Sequence, residues 1–176
     1  DASDDTGLYM SLGQGTDNAG CQSNLSDYQI YNSTPTLSLD SSTTTLCARF
    51  QDEYQNTTAI QYLTLPETPQ SIMIQDTTNM NTTPPEYRLF LAWEEISPPT
   101  PGFTEYSIHR SEDNTTFSEL ATIDNIATNY YGDNTTEFDT NYYYKLYSED
   151  DDGNKSFFSD TINGKANGTQ DAQEGG

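Results

Sequence analysis

The chain has 176 residues, six Lys and Arg against 28 Asp and Glu, and a formal net charge of −22 at pH 7. Apolar residues make up only 32% and aromatics 12%, 13 of them Tyr, a balance that suits thin aromatic-rich sheets rather than a thick α/β enzyme core. So acidic a surface repels phosphate backbones and anionic bilayers, and it excludes nucleic acid as a partner.

Residues 1–6, DASDDT, are too polar to fold alone, and the start at Asp1 is read as that of a mature form whose leader has been removed. No apolar run is long enough to span a bilayer, LFLAW at 89–93 being about the longest, so no membrane insertion is expected. Leu8, Met10 and Leu12 alternate like a short strand, and GQGTDNAG after them reads as a flexible connection. Residues 28–31 and 36–39 are candidate strands, TTTLCARF at 43–50 puts Leu46, Ala48 and Phe50 on one face, and AIQYLTL at 59–65 is another strand. Residues 1–65 are thus expected to hold a small, vaguely immunoglobulin-like β unit, which buries too little surface to be robust alone. Two readings of Leu8, Met10 and Leu12 stay open. One is an assembly strand docking on a neighbouring copy's sheet. The other is an ordinary first strand pairing within its own subunit.

Cys21 and Cys47, 26 residues apart in this weak unit, are expected to form a disulfide, closing a loop for roughly 3–4 kcal/mol. The alternative is two unpaired small hydrophobes.

From Pro66 onward the pieces arrive in a recognisable order. Pro66-Glu-Thr-Pro69 precedes Ile72 and Ile74; Leu89, Leu91 and Trp93 alternate; Tyr106-Ser-Ile108-His-Arg110-Ser is followed by EDNTTFSELATI. Tyr131 and Asp133 in NYYGD lead to Tyr142, Tyr144, Leu146 and Ser148 alternating with Tyr143, Lys145 and Tyr147. Asp-Asp-Gly-Asn then supplies turn chemistry, and a return strand is expected over 155–162. Residues 66–166 resemble a fibronectin type III domain of the form common in microbial secreted proteins. That resemblance implies a β-sandwich, a core role for Trp93 and a tyrosine corner at Tyr142. It also leaves long connections at 76–86 and 97–102 as elaborated loops. Residues 167–176 read as a linker or tail. The fold class expected is all-β, two small β-sandwich units, the second fibronectin type III-like.

The tripeptide Asn-x-Ser/Thr occurs at Asn24, Asn32, Asn56, Asn81, Asn114, Asn134, Asn154 and Asn167. This is more often than composition alone supplies, and several fall at expected turns, so glycosylation at some of them is expected. The bland account is polar loop filler. The acidity has a bland account too, solvation, beside a sharper one, Ca²⁺ chelation. The run Glu149-Asp-Asp-Asp-Gly-Asn154 departs from a calcium loop, with Lys155 where that loop needs Gly, and reads more simply as a hairpin tip. His109, the one histidine, falls on an outward strand position away from any nucleophile, and no catalytic constellation emerges. Tyr143 and Tyr147 are expected to face away from the core with Tyr130 nearby, and the three are candidate exposed interface residues unless long neighbouring side chains or glycan shield them. The expected function is a non-enzymatic, secreted, glycosylated structural subunit of a filament or surface layer that assembles with identical copies. A carbohydrate-binding or spacer module of a secreted hydrolase, or an adhesin, is the alternative.

Overall fold

The computed structural model describes residues 8–30, 37–39, 43–98, 102–168 and 172–174, the last three by their backbone. The chain divides into two compact units, Asp1–Leu65 and Pro66–Gly176. It is nearly all-β, with three antiparallel sheets and one short helix among the described residues.

In unit 1, alternation gives β1 (Tyr9–Gly15), and the strand gives way where Asp17 caps a helix. Asp17 Oδ1 accepts from the Gly20 N–H at 2.6 Å, opening α1 (Asn18–Ser23). The GQGTDNAG segment is therefore strand end, cap and first helical turn, not the flexible connection expected. β1 pairs antiparallel with β3 (Thr45–Gln51) from Tyr9↔Gln51 to Gly15↔Thr45, and on its other side with β2 (Gln29–Ile30). β4 (Gln61–Thr64), exposed throughout, completes the order β2-β1-β3-β4. Leu8, Met10 and Leu12 thus sit in the ordinary pairing: Leu8 exposed ahead of the strand, Met10 buried, Leu12 half-buried.

The register places two unlike faces on this sheet. Met10, Leu12, Leu46, Ala48 and Phe50 share one. Gly13, Gly15, Thr45 and Cys47 share the other, and α1 lies against it. A Cβ at Gly15 would stand 2.4 Å from the Cys21 backbone nitrogen, so the close approach of helix to strand requires glycine there. Cys21 and Cys47 are bonded across this contact, their Cα atoms 6.0 Å apart.

Unit 2 is a β-sandwich of two facing sheets. The first, in the order β12-β5-β6-β9, contains β5 (Met73–Asp76), β6 (Leu89–Ala92), β9 (Tyr130–Asp133) and β12 (Ala172–Glu174). The second, β11-β10-β7-β8, contains β7 (Phe103–Ser111), β8 (Ser118–Ile123), β10 (Asn141–Asp150) and β11 (Ile162–Lys165). Period-two alternation turns Ile74, Leu89 and Leu91 from one sheet toward Ile108, Tyr144 and Leu146 from the other, all essentially buried. Trp93 closes this core, meeting Tyr106 edge-on at 5.3 Å.

Three expectations are corrected here. NYYGD forms a strand of its own, because Tyr130 to Asp133 pair with Ala92 to Leu89. The return after the hairpin tip becomes regular only at Ile162. Over the preceding stretch, Ser156 and Ser159 donate their N–H groups to the Ser148 and Leu146 carbonyls, while their hydroxyls accept from the N–H groups of those same two residues. The segment read as a tail includes β12, paired with β5 from Ala172↔Gln75 to Glu174↔Met73.

The strand directions give the sandwich two poles. The chain enters at one, where Glu67 O accepts from Ser148 Oγ at 2.6 Å. Residues 93–98 and Gly102 and the connections 124–129 and 151–154 lie there too, tied by Trp93 N–H to Asn129 O and Asp151 N–H to Gly102 O. At the far pole lie 77–88, 112–117, 134–140 and the end of β11. They are joined by Asp76 Oδ2 accepting from the Asn167 and Gly168 N–H groups and by the Tyr87–Phe138 ring contact.

Candidate functional site

Asp133, wholly buried at the end of β9, accepts four side-chain and backbone hydrogen bonds. Its Oδ1 accepts from the Thr135 N–H and hydroxyl at 2.8 and 2.7 Å; its Oδ2 accepts from Arg110 Nη1 at 2.7 Å and Tyr144 OH at 2.8 Å. Burial pushes this carboxyl up, but the bonds from Thr135, Tyr144 and Arg110 outweigh it and hold the group below the usual carboxylate range. Burial, with the adjacent Asp133, drives the Tyr144 phenol up. The Arg110 guanidinium lies over the Tyr142 ring at 4.7 Å, and Tyr142 OH accepts from the Glu137 N–H at 3.1 Å. That last bond, from a strand tyrosine back to the preceding connection, is a tyrosine corner. With its oxygens filled, Asp133 is a brace and not an open acid or base. The sequence places Asp133 in a family pattern, but nothing local to it signals burial.

His109 is half-buried on the outer face of the second sheet. Ser107 Oγ donates to Glu119 Oε2 at 3.0 Å and lies 3.1 Å from His109 Nε2. The serine's one proton goes to the carboxylate, so the imidazole supplies the proton of the second contact and does not stand between serine and acid as a nucleophilic triad requires. Burial lowers the His109 pKa, Glu119 opposing and Lys145 and Lys155 adding to the effect.

The same face corrects the expectation for Tyr147. It does point away from the core, yet it is buried under His109 and Phe158, with Lys155 donating to its hydroxyl at 2.8 Å. Long neighbours cover it, and Tyr143 is half-buried. Lys145 sits between the Phe117 and Phe158 rings at 4.2 and 4.1 Å. In the acidic run, Asp150 is buried and accepts from the Asp152 and Asn154 N–H groups and from the Asn154 amide. The run is a turn held by its own carboxylate. Among the described residues, no group of three or more His, Cys, Asp or Glu side chains is placed to hold a metal ion.

Tyr130 is exposed and stacks on Phe90, ring centroids 5.9 Å apart. The register sets both in a wider surface. Met73, Ala92 and Tyr130 form one cross-strand row on the outer face of the first sheet, and Gln75, Phe90 and Gly132 form the next. None of these six positions is charged, in a chain with 28 acids.

The Asn-x-Ser/Thr asparagines separate into groups. Asn24 Nδ2 donates to Gln14 O, Asn56 Nδ2 to Asp52 Oδ2, and Asn154 Nδ2 to Asp150. Asn81, Asn114 and Asn134 are exposed, and their amides make no hydrogen bond among the described residues. Asn167 is half-buried and its N–H is held by Asp76; Asn32 lies outside the described residues. No helix among the described residues is long and apolar enough to cross a membrane.

No protein-family model matches the sequence, and no curated protein matches it. Among solved structures, the chain is similar to a β-1,2-glucanase from Parabacteroides distasonis at 16% identity and a TM-score of 0.44, over 94% of this chain and 28% of the glucanase. It is similar also to domains A168–A170 of titin at 12% identity and a TM-score of 0.45, over 91% of this chain and 55% of that one. The chain spans less than two thirds of either protein's length.

Proposed function

We propose that the chain is a non-enzymatic, secreted structural module, with a fibronectin type III domain at 66–166, that assembles with copies of itself through the outer face of β5, β6 and β9. The domain reading is supported by the strand orders of unit 2, by Trp93 in the core and by the Tyr142 corner. The disulfide and the acidic surface are compatible with an oxidising, extracellular setting.

The observation that carries self-assembly is the uncharged patch on β5, β6 and β9 bearing Met73, Phe90, Ala92 and Tyr130. Two copies, each with a net charge of −22, repel one another over most of their surface. A contact between identical chains is favoured where neither brings much charge, and the six positions on β5, β6 and β9 bring none, the register adding Glu174 of β12 beside Met73 at the margin. Rigid aromatic area suits such a contact.

Light scattering and negative-stain microscopy of the full chain test the proposal. Assemblies that grow with protein concentration and strengthen with added salt are the expected result, since salt screens the remaining repulsion. Tyr130→Glu with Phe90→Glu should return monomers with an unchanged circular dichroism spectrum. Monodisperse wild-type particles at all concentrations would favour the spacer reading instead.

A further inference from the structure

The eight Asn-x-Ser/Thr tripeptides look alike in sequence, and the fold makes them different. In three of them both ends are already used. Beyond the asparagine amides described above, the hydroxyl two residues on accepts a strand N–H each time: Ser26 from Leu12 at 3.2 Å, Thr58 from Phe50 at 3.1 Å and Ser156 from Ser148 at 3.0 Å. Each of these tripeptides is a clip, its asparagine fixing a bend and its hydroxyl closing a strand. The far pole of unit 2 is otherwise. Asn81-Thr82-Thr83 and Asn114-Thr115-Thr116 leave the asparagine amide and the last hydroxyl exposed, with no hydrogen bond to either among the described residues. Their central chemistry is spent differently: Thr82 Oγ1 donates to Asn79 O, while Asp113 accepts from the Thr115 and Thr116 N–H groups. Asn114 has φ +58°, a conformation asparagine tolerates, which is a backbone reason for that residue. It gives none for the free threonine hydroxyl after it. Asn134 is intermediate: its amide is exposed, but the Thr136 hydroxyl is buried and unpartnered.

We infer that, among the tripeptides that lie wholly within the described residues, Asn81 and Asn114 are the open N-glycan acceptor sites of the folded chain, that Asn134 accepts only before unit 2 folds, and that Asn24, Asn56 and Asn154 are structural. This rests on the secreted reading above for its setting and on the geometry for its choice of sites. The donor is an oligosaccharide activated at C1 as a lipid pyrophosphate ester. The Asn amide nitrogen bonds to C1, the C1–O bond breaks with its electron pair leaving on the lipid pyrophosphate, and the amide gives up one proton. The two sites share the pole opposite the one where the chain enters unit 2, so the sugar would cap one end and leave the uncharged sheet face bare.

The disulfide-intact, folded full chain should be incubated with an oligosaccharyltransferase and its lipid-linked donor, then mapped by glycopeptide mass spectrometry beside the reduced, unfolded chain. Of these six sites, the expected result is glycan at Asn81 and Asn114 alone in the folded chain, with Asn134, Asn24, Asn56 and Asn154 added when unfolded. Folded chain left bare at Asn81 and Asn114, or modified equally at Asn24, Asn56 or Asn154, overturns the inference. Mapping protein from its native source decides the secreted reading separately: glycan there supports it, and none at any site counts against it whatever the transferase assay gives.

Discussion

The covered face of the unit 1 sheet is lined by glycines, a threonine and half of a disulfide; the inner faces of unit 2 are lined by tyrosine, tryptophan, leucine and isoleucine. In the first, α1 comes so close to β1 that no side chain fits, and a covalent bond holds what apolar burial does not. In the second, large rings fill a gap between sheets; the hydroxyls of Tyr142 and Tyr144 find partners at the far pole and that of Tyr106 at Ile126 O near the other. Adjacent stretches of one chain are therefore held by different physics. Composition averaged over 176 residues hides it.

The largest test is of the aromatic core. Trp93→Ala should remove roughly 3–5 kcal/mol from unit 2, with amide exchange protection falling across β5 to β11. Protection that persists would mean that the braces around Asp133, not the rings, hold the sandwich. Reduction of Cys21–Cys47 comes next, at roughly 3–4 kcal/mol. Exchange in β1 and β3 should become fast while β7 and β10 stay protected. Slow exchange in β1 after reduction would place the stability of unit 1 in its polar clips instead.

Asp133→Asn sharpens the comparison from the polar side. It strips Arg110 of its carboxylate partner and should cost roughly 1.5–3 kcal/mol at pH 7. The carboxyl has a folded pKa below its unfolded value of about 3.9. Its contribution is therefore fully present above about pH 4 and is lost as pH falls through the folded pKa. Chemical denaturation of both proteins across this range should show a gap that is constant at neutral pH and closes in acid. A gap that stays open would mean that the side chain matters by shape alone.

How much of this was legible follows the same division. In unit 2, alternation in YRLFLAW and in the tyrosine-rich stretch assigned β6 and β10, because a strand with one buried face has to write that face into every second residue. Trp93 and Tyr142 were readable through the family pattern. In unit 1, Leu46, Ala48 and Phe50 signalled a strand, but GQG concealed the tightest packing there, since glycine marks a flexible link and a close approach with one letter. The tripeptides are alike in sequence for a related reason: Asn-x-Ser/Thr is written identically whether its amide and hydroxyl are bonded, as at Asn24, Asn56 and Asn154, or exposed, as at Asn81 and Asn114. Tyr147 was assigned its outward direction correctly and its exposure wrongly, because Phe158, which covers it, comes from the irregular return that the pattern missed.

That return has one more consequence. A strand such as β10, where β11 no longer lies beside it, would ordinarily offer a ladder of open amides and carbonyls to any passing chain, the template on which fibrils grow. Ser156 and Ser159 each occupy one rung twice over, backbone N–H to carbonyl and hydroxyl to N–H, without themselves being in a strand that could be extended. The edge is sealed by a segment that cannot in turn serve as an edge. Along this stretch of β10, that blocks the addition of a further strand.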